Sequence, residues 1–198
     1  MTLLAKPMPP ILGDLGLITQ GDPSAWAVTD ETNQYRYVLG RMWDEYFFDK
    51  DDWWNHDPPR PLWVYGMLNP SKARHDVSDP TVRKCIGFAE RGGAGGILIV
   101  NMMARSETHP KALVELWRAG TDVVGPHNFA VLQWALSRPS MIGLNIAAWG
   151  IIPPKLRGAA QSSVNQFRCS RPKCLGRNAD GSPRHPLMLS YDTRLEDL

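Results

Sequence analysis

The sequence has few cysteines, a nearly balanced charge and no long apolar run. Three cysteines in 198 residues are too few to build a disulfide framework. The formal net charge is only +2, so the chain as a whole offers no charge argument for nucleic acid. No stretch is long and apolar enough to span a bilayer, and the proline-broken start lacks a clear signal-peptide cleavage site. We therefore expect a cytoplasmic protein that does not enter the membrane.

Motifs for metals and for phosphoryl transfer are also missing. Cys169 and Cys174 lie close to His185 in the sequence, but their spacing is not a standard zinc pattern. The chain has no glycine-rich P-loop and no obvious pair of metal-binding carboxylates. We predict neither a metal site nor a cofactor, and phosphoryl chemistry fits the sequence poorly.

The sequence does contain a local excess of basic residues near its C-terminus. Residues 155–194 include eight Lys or Arg against two Asp. Such an excess suits contact with phosphates. A solvated arginine-rich surface explains it equally well.

Four segments have the composition of strands. The stretch at 35–44 is rich in aromatic and β-branched residues, which predicts a strand and is compatible with pairing in a hairpin. Three apolar runs of strand length follow at 62–68, 95–103 and 141–149. The first two of these runs are typical of strands buried on both faces, as in a parallel sheet.

Helix patterns separate the apolar runs. In the first helix the Asp79 carboxylate stands before Pro80 as a cap, and the apolar spacing continues to Gly92. The second pattern covers 109–120. The third covers 125–139, where we expect Phe129, Leu132 and Leu136 to form the buried stripe.

This alternation predicts a three-layer α/β/α fold with a mainly parallel central sheet. We assign it to one domain over residues 31–198. Residues 1–30 are punctuated by Pro and Gly and predict an irregular N-terminal arm.

Polar residues follow the ends of the three apolar strands. Asn69 follows the first, Asn101 lies near the end of the second, and the third ends in Trp149-Gly150. The carboxyl ends of parallel strands lie at one edge of a sheet, so Asn69 and Asn101 are expected to share a crevice, with His185 as a third member. Two amides and an imidazole supply hydrogen-bonding groups without fixed charge, which suits the edge of a heterocyclic base.

Each of these residues also has a structural explanation. An Asn before Pro is commonly a turn former, Asn101 could cap the region after it, and a His beside Pro is commonly a structural hydrogen-bonder. The joint pattern at successive strand ends, rather than any one residue, favours a site.

Six short segments together resemble the signature of a known family. They are RYVLGRMWD, MLNPSKA, DPTVRKCIGFA, IVNMMA, AAWG and DGSPRHPL, in that order, from about Tyr35 to Leu189. They resemble an uncharacterised bacterial and phage family, domain of unknown function 1643. This resemblance implies membership of a family but no activity.

The order Asn-Pro, Asn, Trp-Gly and His-Pro is also similar to the uracil-DNA glycosylase superfamily, and this similarity implies a glycosylase-like fold. It implies that Asn69 orients the attacking water, that Asn101 recognises the base, and that His185 stabilises charge on the leaving base. The further residues expected to bind substrate are Ser71, Trp149, Gly150 and Arg184, and those expected to hold a phosphate are Lys72 and Arg74. The chain departs from the superfamily pattern at residues 178–182, which intervene before His185, and at Leu187, where Ser is expected.

These patterns leave three functions open. The first is a hydrolase that cleaves the N-glycosidic bond of a modified or deaminated base in DNA or in a nucleotide. The second is a non-catalytic module that binds a nucleotide or nucleic acid in the same pocket. The third is another transferase or hydrolase with Asp76 or Asp79 as general base, although Asp79 is better explained as a helix cap.

Overall fold

The computed structural model describes residues 10–49, 56–71, 76, 78–137 and 141–198. These residues form one eight-stranded sheet with the order β1-β2-β3-β5-β4-β6-β7-β8. The strands are β1 Ile18–Asp22, β2 Ala25–Thr29, β3 Arg36–Met42, β4 Leu62–Met67, β5 Gly96–Asn101, β6 Ile142–Ala147, β7 Lys173–Cys174 and β8 Glu196–Asp197.

Helices connect and cover these strands. They are α1 Pro10–Gly13, α2 Tyr46–Asp49, α3 Pro80–Arg91, α4 Pro110–Arg118, α5 Asn128–Leu136 and α6 Arg157–Cys169. A 3-10 turn at Pro154–Leu156 precedes α6, and a second at Pro186–Met188 follows His185. None of the described helices is both long and apolar enough to cross a bilayer.

The sheet is mixed, so the prediction of a mainly parallel sheet is wrong. Strand β4 lies at its centre, parallel to β5 and β6, and β6 is parallel to β7. The other four neighbouring pairs are antiparallel. The physical reason is connectivity. Strands joined through a crossover helix run parallel, whereas β1, β2 and β3 follow each other through short turns and must alternate in direction.

Part of the irregular arm expected over residues 1–30 is a hairpin in the structure, and residues 1–9 of that arm lie outside the described residues. Residues 18–29 form β1 and β2, a hairpin at the edge of the sheet. Its turn is fixed by Asp22, whose Oδ1 accepts hydrogen bonds from the backbone N–H of Ser24 at 2.8 Å and of Ala25 at 3.2 Å. Short strands closed by such a turn show little alternation of apolar and polar residues, which explains why no strands were predicted over these residues.

Both faces of the sheet are buried. In β4, Leu62 and Val64 face a core shared with α5 and α6, and Trp63 and Tyr65 face a second core shared with α3. All six residues of β4 and all six of β5 are buried. The prediction of strands buried on both faces is confirmed for these two.

The three predicted helices are present, but one expected stripe is only partly correct. Helix α3 begins at Pro80, and the Asp79 side chain accepts from the Val82 N–H at 2.9 Å, which confirms the predicted cap. In α5, Leu132 is fully buried as expected, whereas Phe129 is 61% exposed and Val131 and Trp134 are buried. Helix α5 packs against β3, β5 and α6 together, so its buried surface is wider than a single stripe.

Candidate functional site

A cavity of about 360 Å³ opens where β4, β5 and β6 end. Met67 of β4 pairs with Asn101 of β5, and Gly66 of β4 pairs with Ala147 of β6, so the carboxyl ends of the three parallel strands are level. Whatever follows each strand therefore lies at the same edge. A cavity of this volume is within the range of small-molecule sites, about 300–1,000 Å³.

The structure brings most of the predicted residues together at this edge. Those that line the cavity are Asn69, Ser71, Asn101, Trp149, Gly150 and His185. Arg184 is not among the lining residues, and its Nε donates to the Arg177 carbonyl at 3.1 Å. Lys72 and Arg74 lie outside the described residues.

Asn69 is held by the backbone around it. Its Nδ2 donates to the carbonyl oxygens of Pro70 at 3.0 Å and of Glu107 at 2.7 Å. Both amide hydrogens are therefore used, and no hydrogen bond from the described residues reaches Oδ1. What Asn69 retains for a ligand is an acceptor in a fixed position.

Asn101 is almost fully buried, at 2% exposure. Its Nδ2 makes one long hydrogen bond, 3.4 Å, to the Arg36 carbonyl. A second amide hydrogen remains available to a ligand, because an amide nitrogen carries two.

A buried polar contact holds the end of β5 in place. Nδ2 of Asn128, on α5, donates to the Asn101 carbonyl at 3.0 Å. The same nitrogen also lies 3.2 Å from Oγ of Ser163 on α6. Asn128 is fully buried and does not line the cavity, so it positions Asn101 from behind.

His185 reaches the site through the hairpin that follows β7. Cys174 of β7 pairs with Ala147 of β6, so the chain leaves the sheet at the same edge. Arg177 and Pro183, which lie outside the strands, then form an isolated antiparallel bridge that closes the hairpin before His185. A Cβ placed on Gly150 would lie 3.5 Å from the Cβ of His185, which shows how closely the two segments approach.

The surroundings of His185 favour an uncharged imidazole at neutral pH. Burial lowers the pKa of His185 from its ordinary value of 6.5, and the charge of Asp79 opposes this change. Nδ1 accepts a hydrogen bond from the Leu187 N–H at 3.4 Å. This contact favours the tautomer whose proton is on Nε2, which is then a donor.

Trp149 contributes a wall rather than an exposed platform. It is 3% exposed, and its ring packs edge-to-face on Phe167 of α6, with the ring centres 5.8 Å apart. Gly150 beside it has φ +70°, a backbone conformation that Gly adopts without strain. The chain can thus turn sharply at the cavity rim.

The site also contains two residues that sequence reasoning missed, Arg36 and Glu107. They line the cavity together with Asp79, which the sequence offered as a helix cap or a general base. Arg36 begins β3, which is antiparallel to β5, so its amino end lies at the edge where the parallel strands finish. The sequence signal for Arg36 was its place in the RYVLGRMWD segment. Arg36 lies at the amino end of its strand, whereas the predicted site residues were those at the carboxyl ends of strands.

The cavity is lined by one cationic side chain, Arg36, and by the acidic side chains of Asp79 and Glu107. Burial lowers the pKa of Arg36 to about 10, with Asp79 opposing the change and Arg41 adding to it. Arg36 is still a cation at neutral pH. The Asp79 carboxylate already accepts from the Val82 N–H and, at 3.4 Å, from the Ser71 hydroxyl. Among the described residues, no three His, Cys, Asp or Glu side chains are placed to hold a metal ion.

Comparison with known proteins identifies a family. Residues 36–187 match the model of the family described as "Protein of unknown function (DUF1643)". No curated protein and no solved structure matches the chain.

Proposed function

Because the chain belongs to the family of domain of unknown function 1643, which has no assigned activity, we propose a function from the cavity itself. We propose that the protein is a nucleobase N-glycosidase related to the uracil-DNA glycosylases. Its substrate is a modified or deaminated base in DNA or in a nucleotide. The observation that supports this proposal is that Asn69, Asn101 and His185 line one cavity of about 360 Å³.

The reaction separates charge, and the cavity is suited to that. Breaking the N-glycosidic bond leaves positive charge on the sugar and negative charge on the departing base. A hydrogen-bond donor fixed where the negative charge develops lowers the barrier. Nε2–H of His185 is such a donor, and the Arg36 cation lies in the same cavity.

Asn69 fits the task of orienting water. An amide is too weak a base to deprotonate water, but it can hold the molecule in line with the sugar carbon. Its nitrogen is engaged by the Pro70 and Glu107 carbonyls, so Oδ1 is left to accept a hydrogen bond from the attacking water. The glycosidic C–N bond breaks, the C–O bond to this water forms, and the proton that the water loses passes to the departing base anion or to solvent. Asn101 then has an amide hydrogen with which to recognise the base edge.

Release of free base tests this proposal. The protein is incubated with oligonucleotides and nucleotides that carry uracil, hypoxanthine or alkylated bases, and free base is measured by mass spectrometry. We expect Asn69→Ala and His185→Gln each to reduce release by about 10²–10³-fold. Gln133→Ala, at an exposed position on α5, serves as the control and is expected to retain the wild-type rate. No release across the panel from folded protein would overturn the proposal.

One observation favours a second function, a non-catalytic module that binds a nucleotide or nucleic acid. The polar groups best placed for catalysis also have structural partners: Asn69 Nδ2 binds two carbonyls and Asp79 caps α3. In that case Asn69→Ala weakens nucleotide binding, measured by calorimetry, and no product forms at any enzyme concentration.

A further inference from the structure

A second cavity, of about 430 Å³, lies along one face of α6. Arg157, Gln161, Val164 and Arg168 line it, and their spacing of four, three and four residues places them on a single side of the helix. The facing wall includes Asp180, from the turn before His185. We call this second cavity the α6 groove.

The α6 groove adjoins the first cavity. Trp149 lines both of them, so the two cavities lie on either side of this one side chain. Arg157 and Arg168 are separated by 11 residues, which at a rise of about 1.5 Å per residue puts them roughly 16 Å apart along the helix. One phosphate group cannot reach both.

From this geometry we infer that the α6 groove binds the sugar-phosphate backbone of a nucleic-acid strand whose target nucleotide occupies the first cavity. A strand advances about 3.4 Å per nucleotide in B-form DNA, so the groove matches several nucleotides. This inference rests on the proposed function and narrows its substrate to a polynucleotide rather than a free nucleotide.

The charges in the groove favour a polyanion, with one opposing group. Arg157 and Arg168 are exposed cations, and no acidic side chain among the described residues forms an ion pair with Arg168. Arg157 Nη2 lies 3.9 Å from Asp180 Oδ2. Oδ1 of Asp180 accepts from both the backbone N–H and the hydroxyl of Ser182. The Asp180 carboxylate therefore competes with a phosphate for Arg157, and neutralising it is expected to tighten binding.

Fluorescence anisotropy with a labelled single-stranded 12-mer that carries uracil tests the inference. We expect Arg157→Gln and Arg168→Gln each to weaken binding about 3- to 10-fold, and each to reduce the slope of log K against log [salt] by about 0.7. Asp180→Asn is expected to strengthen binding. Arg118→Gln, an equal loss of charge at an exposed position on α4, is the control and should leave binding unchanged. None of these substitutions should change the concentration of deoxyuridine monophosphate that inhibits base release.

Two results would overturn the inference: equal affinity for the 12-mer in the Arg157/Arg168 double variant and in Arg118→Gln, or competition by poly-glutamate as effective as that by unlabelled 12-mer.

The base-release assay separates this inference from the proposed function. Loss of 12-mer binding in the double variant, with no free base from the wild type, retains the groove and rejects the glycosidase. Base release that is equal for nucleotide and 12-mer, and unaffected in the double variant, retains the glycosidase and rejects the groove.

Discussion

At the scale of single residues, the orientation of the polar groups in the cavity is set by backbone atoms. Asn69 Nδ2 binds two carbonyls, and Nδ1 of His185 accepts a backbone N–H. Each contact determines which side of the ring or amide is left for a ligand. The site is thus arranged before any substrate enters, and that arrangement reduces the reorganisation needed in the transition state.

Replacing Asn69 with Asp tests this arrangement through stability. A carboxylate cannot donate to the carbonyls of Pro70 and Glu107, which would lose their partner and face negative charge. We expect the free energy of unfolding in urea to fall by about 2 kcal/mol. Asn165→Asp, the same change at an exposed position, should shift it by less than about 0.5 kcal/mol. Equal effects at the two positions would contradict the assigned contacts.

The half-buried imidazole of His185 predicts a pH-dependent stability. Since burial lowers its pKa below 6.5, the unfolded chain takes up the proton at a higher pH than the folded chain does. The stabilisation is complete above pH 6.5 and is lost as the pH falls through the folded pKa. Urea unfolding should show a steeper decline below pH 6.5 for the wild type than for His185→Gln. Parallel curves would show that the imidazole is not desolvated.

At the scale of elements, helix α3 begins at the cavity, and Asp79 both caps this helix and lines the cavity. The capping role can be tested separately from a role in catalysis. The side chain accepts from the Val82 N–H at 2.9 Å, a contact that Asn can also make. It satisfies one of the backbone donors left open at a helix start.

Two substitutions of Asp79 distinguish a cap from a general base. Asp79→Ala removes the cap and is expected to lower the free energy of unfolding by about 1 kcal/mol. Asp79→Asn keeps the cap, so thermal unfolding should stay close to that of the wild type. Any base-release activity should also survive in Asp79→Asn, within about threefold of the wild type. Loss of that activity at unchanged stability would instead support Asp79 as a general base.

Helices α5 and α6 support the end of β5 through Asn128. Removing its side chain leaves the buried Asn101 carbonyl without that donor, and we expect Asn128→Ala to reduce the free energy of unfolding by about 2 kcal/mol. Ser163→Ala removes only the 3.2 Å contact to the same nitrogen and should cost less. Both are measured by urea denaturation. A larger effect from Ser163→Ala would contradict the support assigned to Asn128.

At the scale of the whole molecule, the mixed sheet determines the composition of the site. Parallel strands β4, β5 and β6 bring their carboxyl ends to one edge, and antiparallel β3 brings its amino end there. The cavity therefore combines neutral groups that follow strands with a cation, Arg36, that begins one. Reversing the direction of β3 would place Arg36 at the opposite edge.

This topology also explains which parts were predictable from the sequence. The runs at β4 and β5 are continuous apolar strands because both faces are buried, and their polar ends are visible without a structure. Arg36 was not predictable, because its position depends on the direction of β3 relative to β5. Helix α6 was missed since its sequence, RGAAQSSVNQFRC, has only small and polar residues around Val164 and Phe167, and a weak apolar period gives little signal.

The central claim is that the edge of a nucleobase binds to Asn101 and His185 in the cavity at the end of the parallel strands. NMR titration of the Asn69→Ala protein with 12-mers that carry uracil, hypoxanthine or only normal bases tests it directly. We predict saturable shifts of the Asn101 side-chain amide and the His185 ring with at least one modified base, beyond those caused by the normal 12-mer. Shifts confined to residues outside the cavity, or no difference among the three 12-mers, would contradict the claim.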